Sequence, residues 1–237
     1  GTQIMLEHLK SIGMLPEYAI VAEPTCDRVF GDSIKIGRRG SVNGTIELTG
    51  RQGHAAYPEK SLNPIHQIAN ILPQIAGIDL DEGDSHFAPS KFVVTDIRAG
   101  MEVTNVTPGK LKMMFNVRNS TKTSTEDIER VIKRVFEGME YSLSLSQSAK
   151  PFLTDPKSLV VRKLSRAIES VCAIKPEYST AGGTSDARFL AQFGVPCVEF
   201  GVINDTIHAP NEHTGLDEVE KLYTVFCQTI KNFEELS

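Results

Sequence analysis

Leu111-Lys-Met-Met-Phe-Asn-Val-Arg118 decides how the middle of this 237-residue chain is read. Leu111, Met113, Phe115 and Val117 recur at every second position, the period that sends successive side chains to opposite faces of a sheet. The stretch therefore predicts a half-buried strand with Lys112 and Asn116 outward. Downstream, Ser124 reads as an N-cap, Glu126 and Asp127 fill the first turn, and Ile128, Val131, Ile132 and Val135 form an apolar stripe. Those features predict a helix over 125–138. Tyr141, Leu143 and Leu145 alternate with serines and give another strand. Upstream lie a strand over 91–97, a helix over 63–75 and a strand over 41–48. The helix is expected to bend or end near Pro73, which has no N–H to donate. The order is β-α-β-β-α-β, the split βαβ or ferredoxin-like arrangement.

The flanks have a different texture. Residues 3–12 read as a helix with Ile4, Met5, Leu9 and Ile12 on one side and Gly13 as its stop. Tyr18-Ala-Ile-Val-Ala22 is a short apolar run, expected as a strand buried on both faces and ended by Glu23-Pro24. Beyond Pro151 come an amphipathic helix over 157–174, a shorter helix over 184–193, a buried strand over 195–200 and a long closing helix over 216–236. The fold class is thus α/β: a discontinuous domain of residues 1–39 and 152–237, with a ferredoxin-like insert at 40–151. Sheets commonly hold ~4–6 strands, more than the flanks supply, so further strands are expected before Gly1. The chain opens at Gly1-Thr2 with no initiator methionine and is expected to be the C-terminal portion of a longer protein.

Composition narrows the classes. With 40% hydrophobic and 23% charged residues, disordered, collagen-like and disulfide-scaffold chains are excluded. A formal net charge of -5 argues against a nucleic-acid partner. No apolar run approaches the ~20 residues of a membrane span, and no signal-peptide pattern opens the chain, so no membrane partner is expected. Cys26, Cys172, Cys197 and Cys227 are scattered and read as reduced thiols of a cytoplasmic protein.

Some residues carry chemistry. Glu23 stands just past the carboxyl end of a strand, where open α/β sheets place their ligands; it reads either as such a group or as a solvated turn residue. His208, in Thr206-Ile-His-Ala-Pro-Asn-Glu212, reads as a loop ligand or a surface residue. Together they suit zinc, yet a catalytic zinc takes three protein ligands and two are not enough. Ala181-Gly-Gly-Thr-Ser-Asp186 is expected to open a helix whose backbone N–H groups, with the Thr184 hydroxyl, hold an anion; a capped helix after a tight turn is the alternative. Arg38 and Arg39 lie at the expected domain hinge and Arg118 ends the alternating strand. Guanidinium groups bind carboxylates bidentately, so arginines gathered at a cleft would suit a polycarboxylate, whereas single ones serve solubility. His54 is in the insert and joins Glu23 and His208 only if the domains, or two subunits, close together. His8, His66, His86 and His213 read as structural or surface residues. There is no nucleophile elbow, P-loop or GxGxxG.

The motifs Ala22-Glu-Pro24, Gly37-Arg-Arg-Gly-Ser41, Gly53-His-Ala-Ala-Tyr-Pro58, Asn63-Pro64, Thr104-Asn-Val-Thr-Pro-Gly109, Phe115-Asn-Val-Arg118, Gly182-Gly-Thr-Ser-Asp186 and Ile207-His-Ala-Pro-Asn-Glu212 follow in order. In this set the chain resembles the aminoacylase/carboxypeptidase-type family of two-zinc hydrolases over nearly its whole length. The resemblance implies that Glu23 and His208 are metal ligands. It implies that His54 and Asn105 act in the partner subunit's site on substrate or oxyanion. It assigns Arg38, Tyr57, Arg118, Gly183, Thr184, Arg188 and Asn204 to substrate binding. It further implies two Zn2+ (or Co2+) per subunit in the full enzyme, a small polycarboxylate amide substrate, and a homodimer formed through residues 40–151. The family's His-x-Asp pair, its second bridging-region aspartate and its Glu-Glu pair are absent from these residues. The chain alone is therefore expected to hold metal poorly or not at all and to be inactive. Other amidohydrolases of the family, such as deacetylases and dipeptidases, and a non-catalytic dimerisation protein remain as alternatives.

Overall fold

The computed structural model describes residues 1–234. The chain divides into two compact units, Gly1–Arg38 with Phe152–Ser237, and Arg39–Pro151.

In the 39–151 unit the strands Ser41–Thr49, Lys91–Ala99, Lys110–Arg118 and Tyr141–Ala149 form one four-stranded sheet. Its spatial order runs 91–99, 110–118, 41–49, 141–149, and every neighbouring pair is antiparallel. With the helices Pro64–Ile71 and Thr125–Val135, this is the ferredoxin-like arrangement. The two-residue period holds: Leu111, Met113, Phe115 and Val117 are buried with Val42, Ile46 and Leu48 from the paired strand. Ile68 and Ile71 from one helix, and Ile128, Ile132 and Val135 from the other, close over that face.

Local chemistry sets the ends of these helices. Ser124 and Asp127 form a reciprocal capping box, the Ser124 hydroxyl accepting from the Asp127 N–H and the Asp127 carboxylate from the Ser124 N–H. This helix stops at Val135, three positions before the expected end. The first helix is capped by the Asn63 side chain, which accepts from the Ile65 N–H at 3.0 Å. It ends at Ile71 and passes into a 3-10 turn, Leu72–Gln74, because Pro73 has no N–H and its ring excludes the carbonyl a turn earlier. Gly44 interrupts the 41–49 strand for a packing reason. The Phe115 ring lies across it, stacked on Phe92 with centroids 4.2 Å apart, and a Cβ at position 44 would fall within that ring.

The other unit is built on a sheet of four three-residue strands in the order Ala19–Val21, Cys197–Glu199, Ser33–Lys35, Glu177–Ser179. The outer pairings are parallel, and the central one is antiparallel through Glu199 and Lys35. Neighbours along one strand separate the two cores. Val198 packs with Ile34, Val160, Val161, Leu164 and Ile168, while Cys197 packs with Leu6, Ala187 and Leu190. Helices Leu159–Cys172 and Leu216–Glu234 thus cover one face, and Thr2–Ser11 and Ala187–Gln192 the other.

Several expectations change here. The strand at Ala19–Val21 is half-buried, because it forms an edge of the sheet. Strands Ser33–Lys35 and Glu177–Ser179 were not anticipated; each is too short and too polar to stand out as an apolar run. The closing helix is described to Glu234, and the last two positions of its expected span lie outside the described residues. Among the described residues no helix is long and apolar enough to cross a membrane. All four cysteines are free thiols.

Candidate functional site

A cavity of about 370 Å³ opens beside the end of the Ala19–Val21 strand. Glu23, Asp27, Lys35, Arg38, Gly183, Thr184, Asn204 and His208 are among its lining residues. The fold therefore brings together six of the residues singled out from sequence, Glu23, Arg38, Gly183, Thr184, Asn204 and His208, from four separate stretches of chain.

Glu23 is placed by backbone packing. Phe200 N–H and Glu23 N–H both donate to the Val21 carbonyl, and Gly201 lies so close to the Glu23 backbone that a Cβ there would stand 2.9 Å from its carbonyl carbon. Burial pushes the Glu23 carboxyl above its ordinary pKa. Glu199 and Asp186 push the same way, against partial opposition from Arg38 and His208. Lys35, only 4% exposed, shifts in the opposite sense for the same reason. Burial lowers its pKa first and Arg38 adds to this, while Asp27, Glu199 and Asp32 oppose. Its ammonium donates to the Ser179 hydroxyl at 3.3 Å. Asn204 donates to Asp27 at 3.2 Å, which fixes two further groups of the wall.

His208 is held at φ 57°, in the left-handed region that a residue with a Cβ enters at a cost, and its side chain is exposed. No burial of the His208 side chain offsets that backbone cost. Replacing it, His208→Gly, is expected to raise stability by about 0.5–1 kcal/mol in urea denaturation while removing the imidazole from the cavity. A loss of stability would show that the ring carries structural weight.

The glycine-rich stretch departs from expectation. The helix after it begins only at Ala187 and has six residues, so Gly182–Ser185 is an irregular loop and not a helix N-terminus. Gly182 at φ 102° cannot enter a right-handed helix, and the Ser185 hydroxyl is drawn away to Glu199. Arg38 also differs from the free guanidinium of the sequence reading. It is buried against Glu199, donating to it through Nε at 3.0 and 3.1 Å and through Nη2. Arg188 donates to Thr184 Oγ1 at 2.8 Å, which leaves the Thr184 hydroxyl proton free to donate onward, and its guanidinium lies 4.5 Å from the Phe189 ring centre.

The remaining candidates lie in the 39–151 unit. His54 and Asn105 adjoin on a two-stranded ribbon, Gly53–His54 against Val106–Thr107, where the Ala55 N–H donates to the Asn105 carbonyl at 2.9 Å. His54 Nδ1 accepts from the Ala56 N–H at 3.0 Å, so its proton sits on Nε2 as a donor. Tyr57 is exposed beneath the Lys60 ammonium, 4.7 Å from the ring centre. Arg118 closes its strand opposite Lys91.

Lys35, Asp27 and Glu199 were not singled out from the sequence. The signal was present for two of them. A charge inside Ser33-Ile-Lys-Ile36 or Val195-Pro-Cys-Val-Glu-Phe200 must be exposed or paired, and Lys35 and Glu199 are buried. A metal is a separate matter. Among the described residues no three His, Cys, Asp or Glu side chains converge to hold one. Glu23 and His208 have the right donor chemistry but fall short of the three protein ligands of a catalytic zinc.

Residues 36–141 match the peptidase dimerisation domain. The aminopeptidase PepT of Bacillus cereus shares the fold at TM-score 0.81 and 18% identity, covering 99% of this chain and 62% of that one. A tripeptidase of Staphylococcus aureus does so at TM-score 0.78 and 20% identity, over 97% and 60%. Over nearly its whole length the chain is similar to succinyl-diaminopimelate desuccinylase. It is 66% identical to that of a Nitratiruptor species over 98% of its own length, and 66% identical to that of a Sulfurovum species over 99%. It spans 64% of the length of each of these relatives.

Proposed function

We propose that the chain is part of a metal-dependent amide hydrolase of the desuccinylase type, converting N-succinyl-LL-2,6-diaminopimelate and water to succinate and LL-2,6-diaminopimelate. The observation that carries this is the convergence, in one cavity, of Glu23 and His208 with the buried Lys35 ammonium. Such a cavity offers two ligands of zinc chemistry beside positive charge suited to a polycarboxylate. A metal, when bound, would polarise the scissile carbonyl; Glu23 and His208 would contribute to its ligand set, and the other ligands would come from outside these residues.

The chain's own groups would bind and orient. Lys35 supplies charge to a substrate carboxylate, while Gly183 and the Thr184 hydroxyl offer donors from the glycine-rich segment that also lines the cavity. Arg188 fixes the Thr184 oxygen, and Asn204, held by Asp27, keeps its position on the rim. His54 with its Nε2 proton, together with Tyr57, Asn105 and Arg118, would serve substrate and oxyanion through a homodimer built on the dimerisation domain.

The test is turnover of N-succinyl-LL-2,6-diaminopimelate by the protein expressed from its complete reading frame with Zn2+ or Co2+. N-acetylornithine and dipeptides serve as competing substrates. Succinyl-amide hydrolysis should dominate, and Glu23→Gln and His208→Ala should each reduce kcat/KM by at least ~100-fold. Preference for an acetyl or dipeptide amide, or full activity in either variant, would overturn the reading.

A further inference from the structure

Ala181, Gly182, Gly183 and Thr184 of the segment 181–185 line the cavity, yet all four are exposed. Both ends of the segment run to a single buried carboxylate. At one end the Arg38 guanidinium, paired with Glu199, donates through Nη1 to the Ala181 carbonyl at 2.6 Å. At the other, the Ser185 hydroxyl donates to Glu199 Oε1. Between them Gly182 crosses the guanidinium so closely that a Cβ would stand 2.5 Å from Nη1. Arg38 is 7% exposed and Glu199 and Ser185 are 0% and 7% exposed, so the three side chains of the clasp are buried although the segment they hold is not. A buried ion pair adds little net stability over an apolar pair of the same shape, so stability alone does not account for it.

We propose that Glu199 is a positioning residue: through Arg38 and Ser185 it fixes both ends of 181–185 and thereby holds Gly183 and Thr184 in place to meet a ligand in the cavity. The consequence for affinity rests on the carboxylate reading of that cavity given above.

Backbone order parameters from 15N relaxation of the 237-residue chain test this locally. In the wild type the Gly182, Gly183 and Thr184 amides should be as rigid as the sheet, about 0.85. The double variant Arg38→Met/Glu199→Leu removes both charges together and keeps the interior filled. In it those three amides should fall below about 0.6, while Ile34 and Val198 stay unchanged. Ser185→Ala, which frees one end only, should give an intermediate loss, and it decides the matter alone if the double variant does not fold. A loop that stays rigid in the variants, or a loss shared equally by Ile34 and Val198, overturns the proposal. Titration with succinate completes the test. The wild type should saturate, and the double variant should need at least ~10-fold more ligand. Equal affinity with a freed loop would overturn the positioning role. Absence of succinate binding to the wild type would overturn the carboxylate reading instead, with the order parameters still deciding the clasp.

Discussion

Arg38→Ala is expected to destabilise the unit of residues 1–38 and 152–234 by about 3–5 kcal/mol, the cost of leaving one partner of a buried ion pair uncompensated. Glu199 is fully buried, and three of the hydrogen bonds it accepts come from Arg38. The Ser185 hydroxyl would remain, but it is a neutral donor and leaves the charge unbalanced. The Ala181 carbonyl would lose its guanidinium partner as well. Hydrogen exchange of the Ile34 and Val198 amides against urea reports this unit separately from the insert, and the midpoint should fall by about 1 M or more. The apolar pair Arg38→Met/Glu199→Leu should recover most of that loss. A single variant costing less than about 1 kcal/mol would show that the carboxylate finds another partner.

Asp81→Ala should cost the insert about 3 kcal/mol. The Asp81 carboxylate accepts from the Gly83 N–H at 2.8 Å, the Ser90 N–H at 3.2 Å, the Ser120 hydroxyl at 2.9 Å and the Thr123 hydroxyl. Ser90, Ser120 and Thr123 are buried, so removing the acceptor strands donors that water cannot readily reach, at about 1–3 kcal/mol each when nothing replaces it. Burial by itself would raise the Asp81 pKa, but the hydrogen bonds from Ser90, Thr123, Gly83 and Ser120 outweigh it and hold the carboxyl far below the ordinary range. A carboxyl with a lower pKa folded than unfolded stabilises the native state above the unfolded value, near pH 4, and loses that contribution as the pH falls toward the folded value. The stability gap between wild type and Asp81→Asn should therefore be widest near pH 7 and shrink steadily below about pH 4. A gap independent of pH would mean that the charge plays no part.

The insert was legible because its signals are local. Leu111, Met113, Phe115 and Val117 state their period in seven residues, and Ser124 with Asp127 marks a helix start within four. Hydrophobic patterning and capping are decided between near neighbours, and tertiary packing only ratifies them. The flanking unit was read less completely. Ser33–Lys35 and Glu177–Ser179 become strands only because they lie beside each other, and beside Cys197–Glu199, in the folded sheet. Three residues carry too little pattern to predict that. Gly182-Gly-Thr-Ser185 read as a helix start because its composition suits one; the pull of Glu199 on Ser185 comes from 14 positions away.

The sequence by itself determined the ferredoxin-like insert, the α/β character of its flanks, and the choice of Glu23 and His208 as candidate groups. Each of these follows from patterns within a short run of chain. Only the tertiary structure decided that Glu23, Lys35, Arg38, Thr184 and His208 share one cavity, and that Arg38 serves Glu199 before anything else. The reason is physical. Which charges meet depends on long-range strand order, and whether a charge needs a partner depends on a burial that no local pattern records.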